Sequence, residues 1–310
     1  MADYLTHDLL GSEVIQSSRG AVHARLTEYP EAFRWGCQGP DPFFYRRLWE
    51  GGGPYHPLAN RMHEEDTAGL FYAMARYAME QSGWEREVCT AYLDGFLCHY
   101  SLDSEIHPYV YFLQGKGESR NPGVTCGTVH GQVETDIDIA LYSLRGGRHI
   151  SDFHPGDEHH LPALQKEAIA AMLCTVIRQV YDVELPQTEA EAAFGDTLFI
   201  EDFLYRRGRN LAHLAFAAGL LKPAWSDFVS HAKVAEPQWD ALNLRRRGWR
   251  NPDEPEVLRK ESVPEILEIA REKTLSLIGQ YEDMFADGTV RRIDYPVTFG
   301  NGSGKAADPA

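Results

Sequence analysis

Between residues 64 and 81 the apolar side chains Leu70, Phe71, Met74, Tyr77 and Ala78 recur at i, i+1, i+4, i+7 and i+8. That spacing lays them along one face of a helix. Gly83 interrupts the pattern. A second helix is expected from about Trp84, turning Val88, Tyr92, Phe96 and Leu97 inward before His99, and Pro108 should stop it, because proline disfavours helical geometry in the residue before it. A third is expected over 128–144, ended by Gly146 and Gly147. Further amphipathic stretches cover 161–182, 202–220 and 263–285, and the only strand-like alternation lies at 290–298. There is no repeat of fixed period and no sharp break in composition. The pattern predicts an all-α protein, a single multi-helix domain over 1–296 followed by a flexible, small and polar tail at 297–310.

Composition adds limits to this picture. A chain of 310 residues, 43% hydrophobic and 25% charged, can bury a sizeable core. Its 46 acidic and 30 basic residues leave a formal charge of −16, which disfavours long-range attraction to nucleic acid or anionic lipid. The opening MADYLTHDLLGSEV lacks a basic start, a continuous apolar stretch and a small-residue cleavage site, so the expectation is a cytoplasmic protein without a secretion signal. No window approaches the roughly 18 apolar residues of a membrane span. Five cysteines (Cys37, Cys89, Cys98, Cys126, Cys174) show no CxxC spacing and are expected to be reduced, idle thiols.

Chemistry concentrates in GFLCHYSLDSEIHPY, residues 95–109. His99, Asp103 and His107 are four apart and would stack along one helical face. Two imidazoles and a carboxylate aligned in an apolar segment would be costly to bury without a partner, and a cation supplies one. A second run, HGQVETDID, repeats the step with His130, Glu134 and Asp138. NRMHEED contributes His63, WGCQGPDPFF sets Asp41 in a Gly-Pro turn, and LTHDLLG carries His7 on a short amphipathic helix.

In order these residues are His7, Asp41 in a GPD turn, His63, His99-x-x-x-Asp103, His107-Pro108 and His130-x-x-x-Glu134. The series resembles the zinc-dependent phospholipase C family, whose relatives include bacterial phosphatidylcholine-hydrolysing enzymes and, more distantly, fungal single-strand nucleases. The likeness runs over about residues 4–142, and its most specific stretches are HYSLDSEIHP and HGQVE. It implies a helical fold and two zinc ions, one held by His107, His130 and Glu134 and one by Asp41, His63, His99 and Asp103. It also implies a third site shared by Asp103, His7 and the N-terminal residue. The activity implied is hydrolysis of a phosphodiester by metal-held hydroxide attacking phosphorus, with Asp41 and Glu134 as the catalytic carboxylates and Asp41 the general base. The expected substrate is a small phosphodiester or a phospholipid headgroup rather than nucleic acid, since the chain is acidic and has no basic aromatic stripe. The alternatives are a single-strand nuclease with the same metals and a helical metal-binding protein without turnover.

Three other features read as structural. HISDFHPGDEHH (149–160) holds four histidines but has the Gly, Pro and Asp content of a solvated loop. Phe43, Phe44 and Tyr45, directly after Asp41, read as packing aromatics. LRRRGWR (244–250) reads as a solvated basic face beside the acidic NPDEPE loop.

Overall fold

The structure is a computed structural model that describes residues 4–50, 54–120, 126–146, 149–155, 159–206, 231 and 237–300. Its helices are α1 (Tyr4–Ser17), α2 (Gly20–Glu28), α3 (Pro30–Cys37), α4 (Pro42–Tyr45), α5 (Tyr55–Glu64), α6 (Thr67–Glu80), α7 (Gly83–Arg120), α8 (Cys126–Gly146), α9 (Ala163–Tyr181), α10 (Gln187–Arg206) and α11 (Val263–Ala286). Among the described residues there is no strand, only an isolated antiparallel bridge between Trp249 and Arg259. The all-α reading holds. None of the described helices is long and apolar enough to cross a membrane.

α7 is the axis of the molecule. Val88, Ala91, Tyr92, Leu93, Phe96, Leu97, Leu102, Ile106 and Val110 are all fully buried, and they point to every side of the helix. A helix that is apolar all round must be enclosed, and α1, α3, α6, α8, α9 and α11 surround this one. The tightest crossing is with α3, where glycine faces glycine. A Cβ on Gly36 would lie 2.2 Å from the Tyr92 carbonyl oxygen, and one on Gly95 would lie 2.0 Å from the Phe33 carbonyl oxygen. Only glycine allows the two backbones that close. α11 opens on a capping box in which Ser262 and Glu265 satisfy each other's backbone donors, and it seats Ile266, Leu267, Ala270 and Ile278 on the core.

Three expectations need correction. Pro108 does not end its helix; α7 runs through it to Arg120. Proline removes one ladder hydrogen bond, yet Tyr109 and Val110 just beyond it are buried, so packing holds the helical path. The stretch 202–220 is not one helix start: 202–206 form the last turn of α10, and 207–220 lie outside the described residues. Residues 290–298 are not a strand but an extended strap across α7. Along it, the Tyr100 hydroxyl donates to the Val297 carbonyl and Tyr295 packs on Phe71. The strap continues past residue 296, because Phe299 is completely buried. Residues 301–310 lie outside the described residues.

Candidate metal centre

Five elements converge on one buried space. α7 presents His99, Asp103 and His107 from successive turns of one face, α8 presents His130 and Glu134, and α1 brings His7. α5 delivers His63 from its last turn, and the Gly39-Pro40-Asp41 turn between α3 and α4 delivers Asp41. That turn is fixed by Gly39, which has φ +53° and lies flat on the His99 ring, where a Cβ would come within 2.3 Å of Cδ2.

The atoms facing one another are nitrogen lone pairs and carboxylate oxygens. Nε2 of His99 lies 3.2 Å from Asp103 Oδ2, 3.4 Å from Nε2 of His63 and 3.9 Å from Asp41 Oδ1. His63 Nε2 is 3.2 Å from Asp41 Oδ1 and 3.7 Å from Asp103 Oδ2. On the other side His130 Nε2 and His107 Nε2 lie 2.9 and 3.7 Å from Glu134 Oε1. Between the two sets, His7 Nε2 approaches the second oxygen of Asp103 at 3.3 Å, its ring stacked on His99 at 4.2 Å. Ligand atoms about 2.0–2.1 Å from one tetrahedral ion lie about 3.3 Å from each other, and the separations here bracket that spacing.

Tautomers follow from the far side of each ring. His63 Nδ1 donates to the Ala59 carbonyl (2.8 Å), His99 Nδ1 to the Cys37 carbonyl (3.0 Å) and His107 Nδ1 to the Phe299 carbonyl (2.9 Å). His130 Nδ1 meets the Gln114 side-chain oxygen at 2.9 Å. A carbonyl only accepts, so each Nδ1 carries the proton and each Nε2 presents a lone pair inward. The inward atoms have little else to bond. Among the described residues, His107 Nε2, both ring nitrogens of His7, Asp41 Oδ1 and both oxygens of Asp103 are buried with no partner in hydrogen-bonding geometry. Orphaned buried polar atoms carry a heavy desolvation penalty. A divalent cation would relieve it, so these residues fit a metal.

Electrostatics agrees. Burial pushes Asp103 upward, but the His99, His107 and His7 imidazoles outweigh it and hold the carboxyl well below its usual range. Asp41 is likewise held low against burial by His99 and His63. Burial lowers His99, His107 and, most strongly, His130, while Asp41 prevails over burial at His63 and raises it. The result is ionised carboxylates beside imidazoles that are mostly neutral, the protonation state in which both bind metal.

All eight residues singled out from sequence fall into these clusters: His7, Asp41 and His99; His63, His99 and Asp103; His107, His130 and Glu134. A family model described as zinc-dependent phospholipase C matches residues 6–173. The chain belongs to the zinc-dependent phospholipase C family. No curated protein and no solved structure matches it. The His/Asp/Glu clusters fit the zinc dependence of that family.

Asp138, third in the HGQVETDID series, is not a ligand. Its carboxylate accepts from the amides of Leu5 and Thr6, from the Thr6 hydroxyl and from Tyr205, and so pins the start of α1 and positions His7. The 149–160 segment is only partly solvated: Ile150, Phe153 and His159 are buried, with His159 packed on Tyr4. Sequence gave no signal for Gln114 or Phe299, which hold ligand rings from remote positions, nor for His231, close enough to His130 to help lower it.

Proposed function

We propose that this phospholipase C-like protein hydrolyses a phosphodiester of a small molecule or a lipid headgroup at a centre of two zinc ions. His107, His130 and Glu134 would hold one and Asp41, His63, His99 and Asp103 the other. A third position lies between Asp103 and His7. The observation that carries this reading is the convergence of Nε2 and carboxylate atoms in the core at ligand spacing, with His107 Nε2, Asp41 Oδ1 and both oxygens of Asp103 lacking a hydrogen-bond partner among the described residues. Zinc, when bound, lowers the pKa of a coordinated water to about 7 and polarises phosphoryl oxygens.

The chain's own residues supply the rest. Asp103 turns one oxygen toward His63 and His99 and the other toward His7, so it can join neighbouring metal positions. Asp41 lies on the open side of its group, 7% exposed where His99 and Asp103 are 0%. As an ionised carboxylate it can accept a proton from the attacking water. Phe44 against His63 and Tyr111 against His130 place aromatic surface beside the ligands. A formal charge of −16 favours a small ester over a polyanion. His99→Ala and Glu134→Ala should each lose zinc and turnover of a chromogenic phosphodiester together. Unchanged metal content and rate in both variants would defeat the assignment.

A further inference from the structure

The strap at 290–300 lies outside the region matched by the family model, yet one of its residues reaches ligands from both halves of the centre. The Phe299 N–H donates to the main-chain carbonyl of His63 (3.3 Å), and the Phe299 carbonyl accepts from His107 Nδ1 (2.9 Å). The Phe299 ring meets the His63 ring edge-on at 5.5 Å and lies tilted on His99 at 5.7 Å. His63 sits in the last turn of α5, where a helix leaves its carbonyls without internal partners. The strap gives one of them a donor, and the same residue fixes the tautomer of His107 on α7.

The strap itself is lightly held. It forms no strand, and of the residues from 290 to 300 only Phe299 is fully buried. Further anchors include the Tyr100 hydroxyl on the Val297 carbonyl (3.0 Å), Tyr295 on Phe71 and Tyr281, and the exposed Arg292–Asp66 pair. A segment with few buried contacts opens locally at a much lower free energy than the core helices. Docked and undocked are then two arrangements that a bound ion can bias. With the strap away, His107 Nδ1–H loses its acceptor, and the ring is free to turn Nε2 from His130 and Glu134. An ion held by Asp41, His63, His99 and Asp103 fixes His63, and with it the end of α5 that receives the Phe299 N–H.

We propose that the strap couples the two metal positions: an ion at either one favours docking through Phe299, and docking favours an ion at the other. This rests on the two-ion part of the reading above and not on the substrate. Losing the outer partner of a ligating histidine weakens metal binding about 10–100-fold. Coupling is reciprocal, so zinc should lower the undocked population by a like factor.

Hydrogen exchange of the full-length protein, read by mass spectrometry with zinc content measured in parallel, tests this. Between chelated and zinc-loaded protein, exchange at 297–300 should slow about 10–100-fold. The slowing should exceed that at Trp249 and Arg259, whose amides pair in a bridge that carries no ligand residue. His130→Ala and His63→Ala, each left with one ion, should each show part of it. In Phe299→Lys the ammonium cannot stay among Phe71, Phe96 and Tyr100. There the strap should exchange fast with or without zinc, and the His107 position should bind zinc about 10–100-fold more weakly. Equal strap exchange in the chelated and loaded parent overturns the proposal. So does slowing that comes from one of the two ions alone. Both results are read without Phe299→Lys, should that variant fail to fold. A parent that binds fewer than two zinc ions sinks the two-ion reading and the coupling with it. A parent that binds two while its strap is indifferent to them loses the coupling only.

Discussion

In His63, His99, His107 and His130 the Nδ1 proton goes to a fixed acceptor and Nε2 faces the shared space. Three of the four acceptors are main-chain carbonyls, which substitution of their own side chains cannot remove. The rings are thus aimed before any metal arrives. They differ in proton affinity, because Asp41 raises His63 whereas burial lowers His107 and His130. Protons compete with zinc for Nε2. Falling pH should therefore protonate His63 before His107 and His130. On the two-ion reading zinc leaves in two steps, the His63 group emptying at higher pH than the His107 and His130 group. Zinc content after equilibration across a pH series checks this. The ion remaining in His130→Ala should be lost at higher pH than the ion remaining in His63→Ala, and the reverse order would refute it.

At the scale of elements, the centre depends on how closely α3 and its following turn press against α7. Gly36 and Gly95 let the backbones touch, and Gly39 lies on the His99 ring in a left-handed conformation. Gly39→Ala would add both a steric clash with His99 and backbone strain. A loss of about 1–3 kcal/mol is expected, with zinc affinity reduced as His99 is displaced. Denaturant unfolding and metal analysis of that variant report the two effects separately. The strap after α11 acts from the opposite side: Phe299 is buried against Tyr100, Phe71 and His63 while its carbonyl holds His107. Phe299→Ala should cost about 3–5 kcal/mol through the cavity it leaves. Because the carbonyl is retained, zinc binding should suffer less than in Gly39→Ala. Equal loss of zinc in the two would contradict that division.

For the whole molecule, a bundle with uncompensated carboxylates and imidazoles at its centre is expected to be stabler with metal than without. Free zinc at about 1,000 times its dissociation constant stabilises a folded protein by about 4 kcal/mol, here a shift on the order of 10 °C in Tm. Chelation should lower the thermal transition by about that amount, and added zinc should restore it. A transition unmoved by chelator would mean that the core is satisfied without ions. The same enclosure leaves the ligands little exposed: His130 at 18% and Asp41 at 11% side-chain exposure are the most accessible.

Much of this was legible in the order of residues. A four-residue step places side chains on one helical face wherever the helix sits, so His99, Asp103 and His107, and His130 with Glu134, could be read as ligand sets from sequence. His7, Asp41 and His63 carry no such local rule, and only the family pattern drew attention to them. Local rules misled where tertiary packing outweighed them. Pro108 is a helix breaker by its own chemistry, yet buried neighbours carry α7 through it. Asp138 keeps the ligand spacing but meets the amides of α1 instead of the centre. Gln114 and Phe299 came to light only in three dimensions, because single hydrogen bonds across 16 and 192 positions leave no periodicity in the chain. The sequence by itself determined helical periodicity, the glycines that permit close approach and the kinds of ligand atom. Which rings face one another, and which distant carbonyl aims each of them, was decided only by how the helices pack.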